Sequence, residues 1–417
     1  MTETVVIGGI ADVDKVALKR QLQRTERARK LVAIGLIAPL LLFIFINFVV
    51  PVGVILFKSI DDREVSTILP RATEALSQWE GEGLPGDDAF KALFIDMREA
   101  QKARSLVKAG KRLNSAKSGF NALIGKTGRR LPKSDPESYK DALIKLDKRW
   151  GDRAYWIVLK RTANPVTPIY LLSAFDLTMD QQGDVVRVPK YQRIFNKTWV
   201  RTFWMSLVIT MICTVLGYPL AYVMANLPTR VSNILMILVL IPFWTSLLVR
   251  TTAWLVLLQN QGVVNDFGIF LTLWSERLQL IHNRFGVFIT MSHILLPYMV
   301  LPLFAIMKRI PASYVRAAKS LGANPLVAFL KVYLPLTIHG VGAGALFVFI
   351  LSIGFYITPA LVGGRNDQMI SYFIAFYTNE VLNWGAAAAL SAVLLVLTGA
   401  VFYAFKTTFG LDKMQIR

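Results

Sequence analysis

The stretch "RAAKSLGANPLVAFLKVYLPL", residues 316–336, decides how this chain is read. It carries Arg316, Lys319 and Lys331 and is interrupted by Gly322, yet it lies between two long apolar runs. Reversing the chain would need only a short turn, whereas this stretch writes in two helix starts and a helix stop. Pro311 suits the first residue of a helix, and Tyr314, Val315, Ala318 and Leu321 then follow on one apolar face. Gly322 suits the residue past a helix end, where φ is often positive. Asn324 caps a second helix, with Pro325 at its first position. Val327, Leu330 and Leu334 share a face there, and Pro335 bends the chain into the next apolar run. Ala317 and Ala318 keep the first helix slim enough for another surface to approach. The pattern predicts two short helices set at an angle, a knob on which a second protein docks. A helix lying on lipid headgroups is the competing reading.

The flanking runs place this elbow in a membrane protein. Six stretches are apolar enough over the ~20 residues that a bilayer crossing needs: 31–57, 199–225, 231–258, 285–307, 337–362 and 386–409. Lipid offers no partner for free backbone groups, so each must be helical. Pro219, Pro242, Pro297 and Pro302 fall inside runs and mark kinks. The 417-residue chain is 54% hydrophobic, too apolar for an ordinary soluble protein. The expected fold class is an all-α integral membrane protein with six transmembrane helices and a large, mostly helical extracytoplasmic insertion between spans one and two. The one cysteine, Cys213, and three histidines exclude an internal disulfide and leave little for a metal site. The polar first 30 residues do not read as a cleavable signal.

Lysines and arginines near the run ends set the orientation. Lys15, Lys19, Arg20, Arg24, Arg27, Arg29 and Lys30 precede the first run. Lys308, Arg309, Arg316, Lys319 and Lys331 lie between runs four and five, and Lys406, Lys413 and Arg417 fall at or beyond the end of run six. With six crossings all three groups share one side, the cytoplasm. The expected domains are a basic cytoplasmic segment 1–30, a first span 31–57, an extracytoplasmic insertion 58–198, a five-helix core 199–409 holding the cytoplasmic loop 309–335, and a cytoplasmic tail 410–417. Both termini are then cytoplasmic in a bacterial inner membrane, and the loops 259–284 and 363–385 face outward.

The insertion is charged and mixed in sign. "DDAFKALFIDMREAQKARSLVKAGKRL", from residue 87, starts at an acidic cap and carries Ala89, Leu93, Met97 and Ala100 at helical spacing. "DPESYKDALIKLDKRW", from Asp135, reads as a helix that Pro136 opens. "NPVTPIYLLSAF", residues 164–175, reads as extended. "GFNALIGKT", residues 119–127, imitates a phosphate loop, but its glycines Gly119 and Gly125 are one residue too far apart and no apolar strand precedes them. The chain is therefore expected to have no ATP site and no catalytic residues of its own.

The elbow resembles the EAA loop of ABC-importer permeases: Glu-Ala-Ala, three residues, Gly, nine residues, Ile, one residue, Leu-Pro. Ala317, Ala318, Gly322, Val332, Leu334 and Pro335 match it at the right spacing. The resemblance implies coupling helices that seat in a cleft of an ATPase subunit, carried here by Arg316, Ala317, Ala318, Gly322, Leu334 and Pro335. Arg316 departs from the pattern, because it stands where the family usually has glutamate and reverses a charge. A narrower resemblance, to the B-type permease of spermidine/putrescine importers, rests on "GYPLAYVMA" (217–225), "PFWTSLLVRTTAWLVLLQNQGVVND" (242–266) and "TPALVGG" (358–364). It leaves most of 60–175 uncovered. It implies two ATPase subunits that hold ATP and magnesium, a second permease subunit of a different chain, a periplasmic solute-binding protein, and a small solute such as a polyamine, another amine or an amino-acid-like compound.

Polar groups inside apolar runs mark a pathway, because they are expensive in lipid. Arg250 is the clearest, with Thr245, Ser246, Thr251, Thr252 and Trp254 around it. The alternative is that Arg250 snorkels to the outer surface. His293 and Tyr356 are further candidates, set against plain packing. Gly340, Gly342 and Gly344 suit close helix contact. Besides membrane lipids, no nucleic acid is expected as a partner, since the basic residues of 91–161 are interleaved with acids. A gradient-driven transporter or channel is the alternative function. It would call for carboxylates at midplane, and the six runs carry none in their cores.

Overall fold

The computed structural model describes residues 25–26, 29–30, 32–162, 164–180 and 183–409. The expected basic segment 1–30 and tail 410–417 therefore lie almost wholly outside the described residues. The chain divides into two compact units, residues 1–57 and 58–417. The first contains helix α1, Val32–Lys58, with one wide π turn at Phe45–Val49. No ionisable residue interrupts it before Lys58, so it is long and apolar enough to cross a bilayer.

In the second unit, eight short helices and a hairpin precede the bundle. They are α2 (Arg63–Ile68), α3 (Pro70–Ser77), α4 (Asp87–Lys102), α5 (Leu106–Ala116), α6 (Phe120–Arg130), α7 (Tyr139–Leu146), α8 (Arg153–Arg161) and α9 (Ile169–Ser173), then β1 (Leu177–Met179) paired antiparallel with β2 (Val185–Arg187). Ala89, Leu93, Met97 and Ala100 of α4 are all buried, as their spacing predicts. Three expectations change. The stretch from residue 87 is two helices, because the chain turns at Arg104, whose φ is +56°. The helix expected from Pro136 starts at Tyr139, where the Ser138 hydroxyl accepts from the Asp141 amide and gives the helix a cap that proline lacks. The 164–175 stretch, expected to be extended, pairs at Val166 with Asp61 and then coils into α9.

The centre of this insertion is aromatic. Phe90 and Trp156 meet at 4.4 Å between ring centroids, and Trp150 lies 5.6 Å from Trp156. The Trp156 indole donates to the Trp150 carbonyl, and the Trp150 indole donates to the Thr127 hydroxyl. Thr127 and Lys126 of the phosphate-loop imitation thus serve the fold, Lys126 pairing with Asp147 at 3.0 Å. Arg149 also grips Asp147, at 2.9 Å, and holds its carboxyl well below the usual carboxylate range. Arg112 and Asp62 form a fully buried bidentate pair at 2.5 Å.

The bundle comprises α10 (Phe195–Asn226), α11 (Thr229–Leu240), α12 (Leu247–Leu258), α13 (Val263–Phe270), α14 (Arg284–Met307), α15 (Ala312–Ser320), α16 (Pro325–Gly354), α17 (Ile357–Val362), α18 (Ile370–Phe376) and α19 (Trp384–Phe409). Helices α10, α14 and α16 pack on one another around a methionine-rich core that includes Met205, Met291 and Met299. Gly344 lets α16 touch α14: a Cβ there would meet the Met299 sulfur at 2.7 Å. Gly340 likewise faces Ile306, and Cys213 is buried with its thiol toward the Ser292 carbonyl, so both act in packing. The insertion is stitched to α10. The Asp176 carboxylate accepts from the amides of Ile194, Phe195 and Asn196 at 2.8–3.0 Å, capping that helix, and the Trp199 indole donates to Ala174.

Four of the expected runs match continuous helices: α1, α10, α14 and α19. The third does not. Helices α11 and α12 meet at 98°, so run 231–258 is a broken pair rather than one kinked helix. Pro242 sits in the 3₁₀ turn Ile241–Trp244 at the break, where its missing N–H is harmless. The fifth run also differs, since α16 starts twelve residues before the expected 337 and stops at Gly354, with 357–362 in α17.

Candidate functional site

The elbow at 311–336 is built as its sequence spells. Helix α15 closes with the Ala323 amide bonded to the Ala318 carbonyl and the Gly322 amide to Lys319. Gly322 has φ +89°, the left-handed residue that this closure requires. The Asn324 side chain accepts from the Val327 amide at 2.7 Å, capping α16 with Pro325 at its first position. Pro311 stands one residue before the helix, at its cap.

Two features of the elbow differ from expectation. The face Tyr314–Val315–Ala318–Leu321 is split. Val315 and Ala318 turn toward the bundle, whereas Tyr314 is 52% and Leu321 89% exposed. Leu326 and Leu330 of the second helix are exposed too. Pro335 does not bend one helix away from another. A π turn at Phe329–Tyr333 absorbs it: the Leu334 amide reaches back to Phe329, and the proline, which has no N–H, follows within an unbroken helix. Leu334 is half-buried, and Arg316 and Ala317 are exposed. Arg316 has no ion-pair partner among the described residues.

The second candidate set gathers at the break in run three. Thr245 and Ser246 lie at the bend itself. The Thr245 hydroxyl donates to the Pro242 carbonyl, and the Ser246 hydroxyl caps α12 by accepting from Val249. One turn on, Thr251 is buried and shares a 3.0 Å hydrogen bond with Thr358 of α17. The Trp254 indole donates to His293 Nδ1 at 3.1 Å, which joins α12 to α14 and gives His293 a partner within the bundle. Arg250 is half-buried and its Nε is enclosed without a partner. Thr252 stays local, bonding its own helix, and Tyr356 is 40% exposed beside Thr358. The set thus ties Arg250, Thr251 and Trp254 of α12 to His293 of α14 and Thr358 of α17. The residue that the sequence reading missed is Thr290, whose hydroxyl is buried and unpaired one turn before His293. Its one signal is a hydroxyl at i−3 from His293 in an apolar run. Among the described residues no group of three or more His, Cys, Asp or Glu side chains is placed to hold a metal ion.

Comparison with known proteins bears on the bundle. The sequence profile of the binding-protein-dependent transport system inner membrane component matches residues 217–409, which leaves the insertion outside it. The spermidine/putrescine transport system permease protein PotB of Escherichia coli K12 is 32% identical over 225 residues, covering 53% of this chain and 82% of that one. The inner membrane ABC transporter permease protein YdcU of the same organism is 33% identical over 223 residues, covering 51% and 71%. The molybdenum transport system permease protein ModB of Mycobacterium bovis is 28% identical over 206 residues, covering 49% and 76%. Among solved structures, a bacterial alginate ABC transporter aligns with a TM-score of 0.42 and 14% identity over 51% of this chain and 77% of that chain. With its apolar helices and its match to these permeases, the chain belongs to the multi-pass inner-membrane permease components of binding-protein-dependent ABC import systems.

Proposed function

We propose that this permease carries a small amine or amino-acid-like solute into the cell, powered by ATPase subunits seated on the elbow at 311–336. A solute-binding protein delivers the solute outside, and a second permease chain completes the pathway. Two ATPase subunits bind ATP and magnesium. The insertion 58–198 lies outside, and both termini lie in the cytoplasm. A polyamine is the first solute class to test, because it is the class named for the PotB relatives.

One observation supports the coupling reading above the rest. Leu321, Leu326 and Leu330 are all exposed on a capped elbow, and the second helix of the elbow is the start of an unbroken 30-residue helix. Such a helix is about 45 Å long at 1.5 Å per residue. Force applied at Leu326, on the first turn of that helix, therefore reaches the methionine-rich core along one rod, and the wide turn at 329–333 is its softest point. In the membrane, the rod moves Gly344 against Met299 and so shifts α14, which carries His293. The candidate pathway at Arg250, Thr251, Trp254 and His293 would then open to one side or the other.

Leu321 is almost fully exposed, so Leu321→Asp leaves the fold intact. It is expected to strip the ATPase from the purified complex and abolish ATP-driven uptake. A complex that stays together and transports normally overturns the docking assignment. Uptake into vesicles driven by an ion gradient without nucleotide overturns the ATP-driven reading itself.

A further inference from the structure

A cleft of about 830 Å³ opens where the insertion meets the ends of α18 and α19. It is far from the elbow in sequence and shares no residue with the set at Arg250. Its volume falls in the range of small-molecule sites. One wall is insertion: Glu64 of α2, Lys108 and Lys111 of α5, and Tyr170 of α9. The other is bundle: Glu380 and Trp384.

Two observations set this cleft apart from a packing gap. The first is charge. Lys108, Lys111, Glu64 and Glu380 line one space, yet none has an ion-pair partner among the described residues. The neighbouring Arg112 is already saturated by Asp62, and Asp176 by the α10 amides. Opposite charges that share a cleft and fail to meet leave both signs available to a third party. The second is backbone. After α18 the chain makes a wide π turn at Tyr377–Val381 and then places Leu382 at φ +60°. A left-handed leucine is strained, and such strain and such π turns concentrate at functional sites. The Asn383 amide bonds to Tyr377, and the Asn383 side chain caps α19, so the strained turn is locked in place. It carries Glu380 and delivers Trp384, 55% exposed, to the rim.

We propose that this cleft is a binding site for a small zwitterion, an amino acid or short peptide whose carboxylate faces Lys108 and Lys111 and whose ammonium faces Glu64 and Glu380. Trp384 supplies an aromatic face for the ammonium-bearing carbon; the Tyr170 ring, already covered by Arg112 at 4.8 Å, forms part of the cleft floor. A bound zwitterion ties α5 to the 377–383 turn, and so ties the insertion to the start of span six.

The test uses the purified full-length chain in detergent, without ATPase, so its result does not depend on the transport reading. Thermal shift and titration calorimetry are run with the twenty amino acids and with glycylglycine, and with N-acetylglycylglycine and glycylglycinamide, which each lack one charge. At least one zwitterion is expected to raise the melting temperature saturably. The singly charged derivatives should bind at least tenfold more weakly, as should every ligand to the exposed-site variants Lys111→Gln and Glu380→Gln. The proposal is overturned if no zwitterion binds, if the singly charged forms bind equally, or if both variants bind unchanged. Short-chain phosphatidylethanolamine carries the same charge pair. Binding of that headgroup alone, with no free amino acid or peptide, overturns the assignment to a soluble ligand.

Discussion

The insertion and the bundle belong to one compact unit but are built on opposite plans. In the insertion, the largest side chains are the most buried: Trp150, Trp156, Phe90, Phe94 and Phe120 are all essentially inaccessible, and charges cover the outside. In the bundle, large apolar residues such as Leu207, Met211, Val215 and Val396 are exposed, while Thr202, Ser206, Thr290, Thr337 and Ser352 are buried. Water drives the first arrangement, since hiding aromatic area is worth about 25 cal/mol per Å². Lipid removes that drive in the second, because tails are as apolar as leucine. Helices then hold together by close approach at small residues and by hydroxyl bonds, such as Ser352 to Ser206 at 3.1 Å. The same chain therefore needs two different diagnoses for the same kind of substitution.

That contrast can be broken or sharpened by experiment. The largest effect is expected from Trp156→Ala, which empties the aromatic centre and removes the indole bond to Trp150. Loss of about 3–5 kcal/mol is expected there. Limited proteolysis should cut within 58–198 while the helices from α10 onward stay protected; protection of the insertion would show that its core is not aromatic in origin. Next comes Gly344→Leu. Its side chain enters the space of Met299, and overpacking of this kind costs about 1–3 kcal/mol. Here the bundle should soften, with a lower melting temperature in detergent and no new cuts in the insertion.

The finest test is acid. The Asp147 carboxyl is held low first of all by its bonds to Arg149, and the Asp61 carboxyl is lowered to about 2 first of all by Arg63. A depressed carboxylate contributes its stability in full above the unfolded value, about 3.9, and loses it as pH falls through the folded value. Burial raises the Asp62, Glu64 and Asp96 carboxyls, which act with the opposite sign, so the Asp147 contribution is read as the difference in stability between wild type and Asp147→Asn, by tryptophan fluorescence under denaturant; it should stay level from pH 7 to about 5 and decline below about pH 4. Asp147→Asn should lower stability at pH 7, and the gap to wild type should close as pH falls. A gap that does not change with pH would remove Asp147 from the account.

The elbow was legible because each of its signals is local. Pro311, Gly322, Asn324 and Pro325 act on the backbone within a few residues, and the structure realises each within a residue of its expected place. Long apolar runs were legible for a similar reason, since the bilayer thickness dictates their length. The break in run three was not, because its composition is apolar throughout and the 98° turn is a question of what α12 packs against. The continuity of α16 through Pro335 was hidden too. Proline usually ends a helix, and only the widened turn at 329–333 absorbs it.

By itself the sequence determined four of the spans, the caps and the elbow, because hydrophobic length and backbone chemistry act over one or two turns. Only the tertiary structure decided which faces of the elbow turn outward, that His293 and Thr358 join the group around Arg250, and that four unpaired charges line one cleft between the insertion and the bundle. Those pairings join residues tens to hundreds of positions apart. No local signal encodes them, since each arises from the way whole helices fill space.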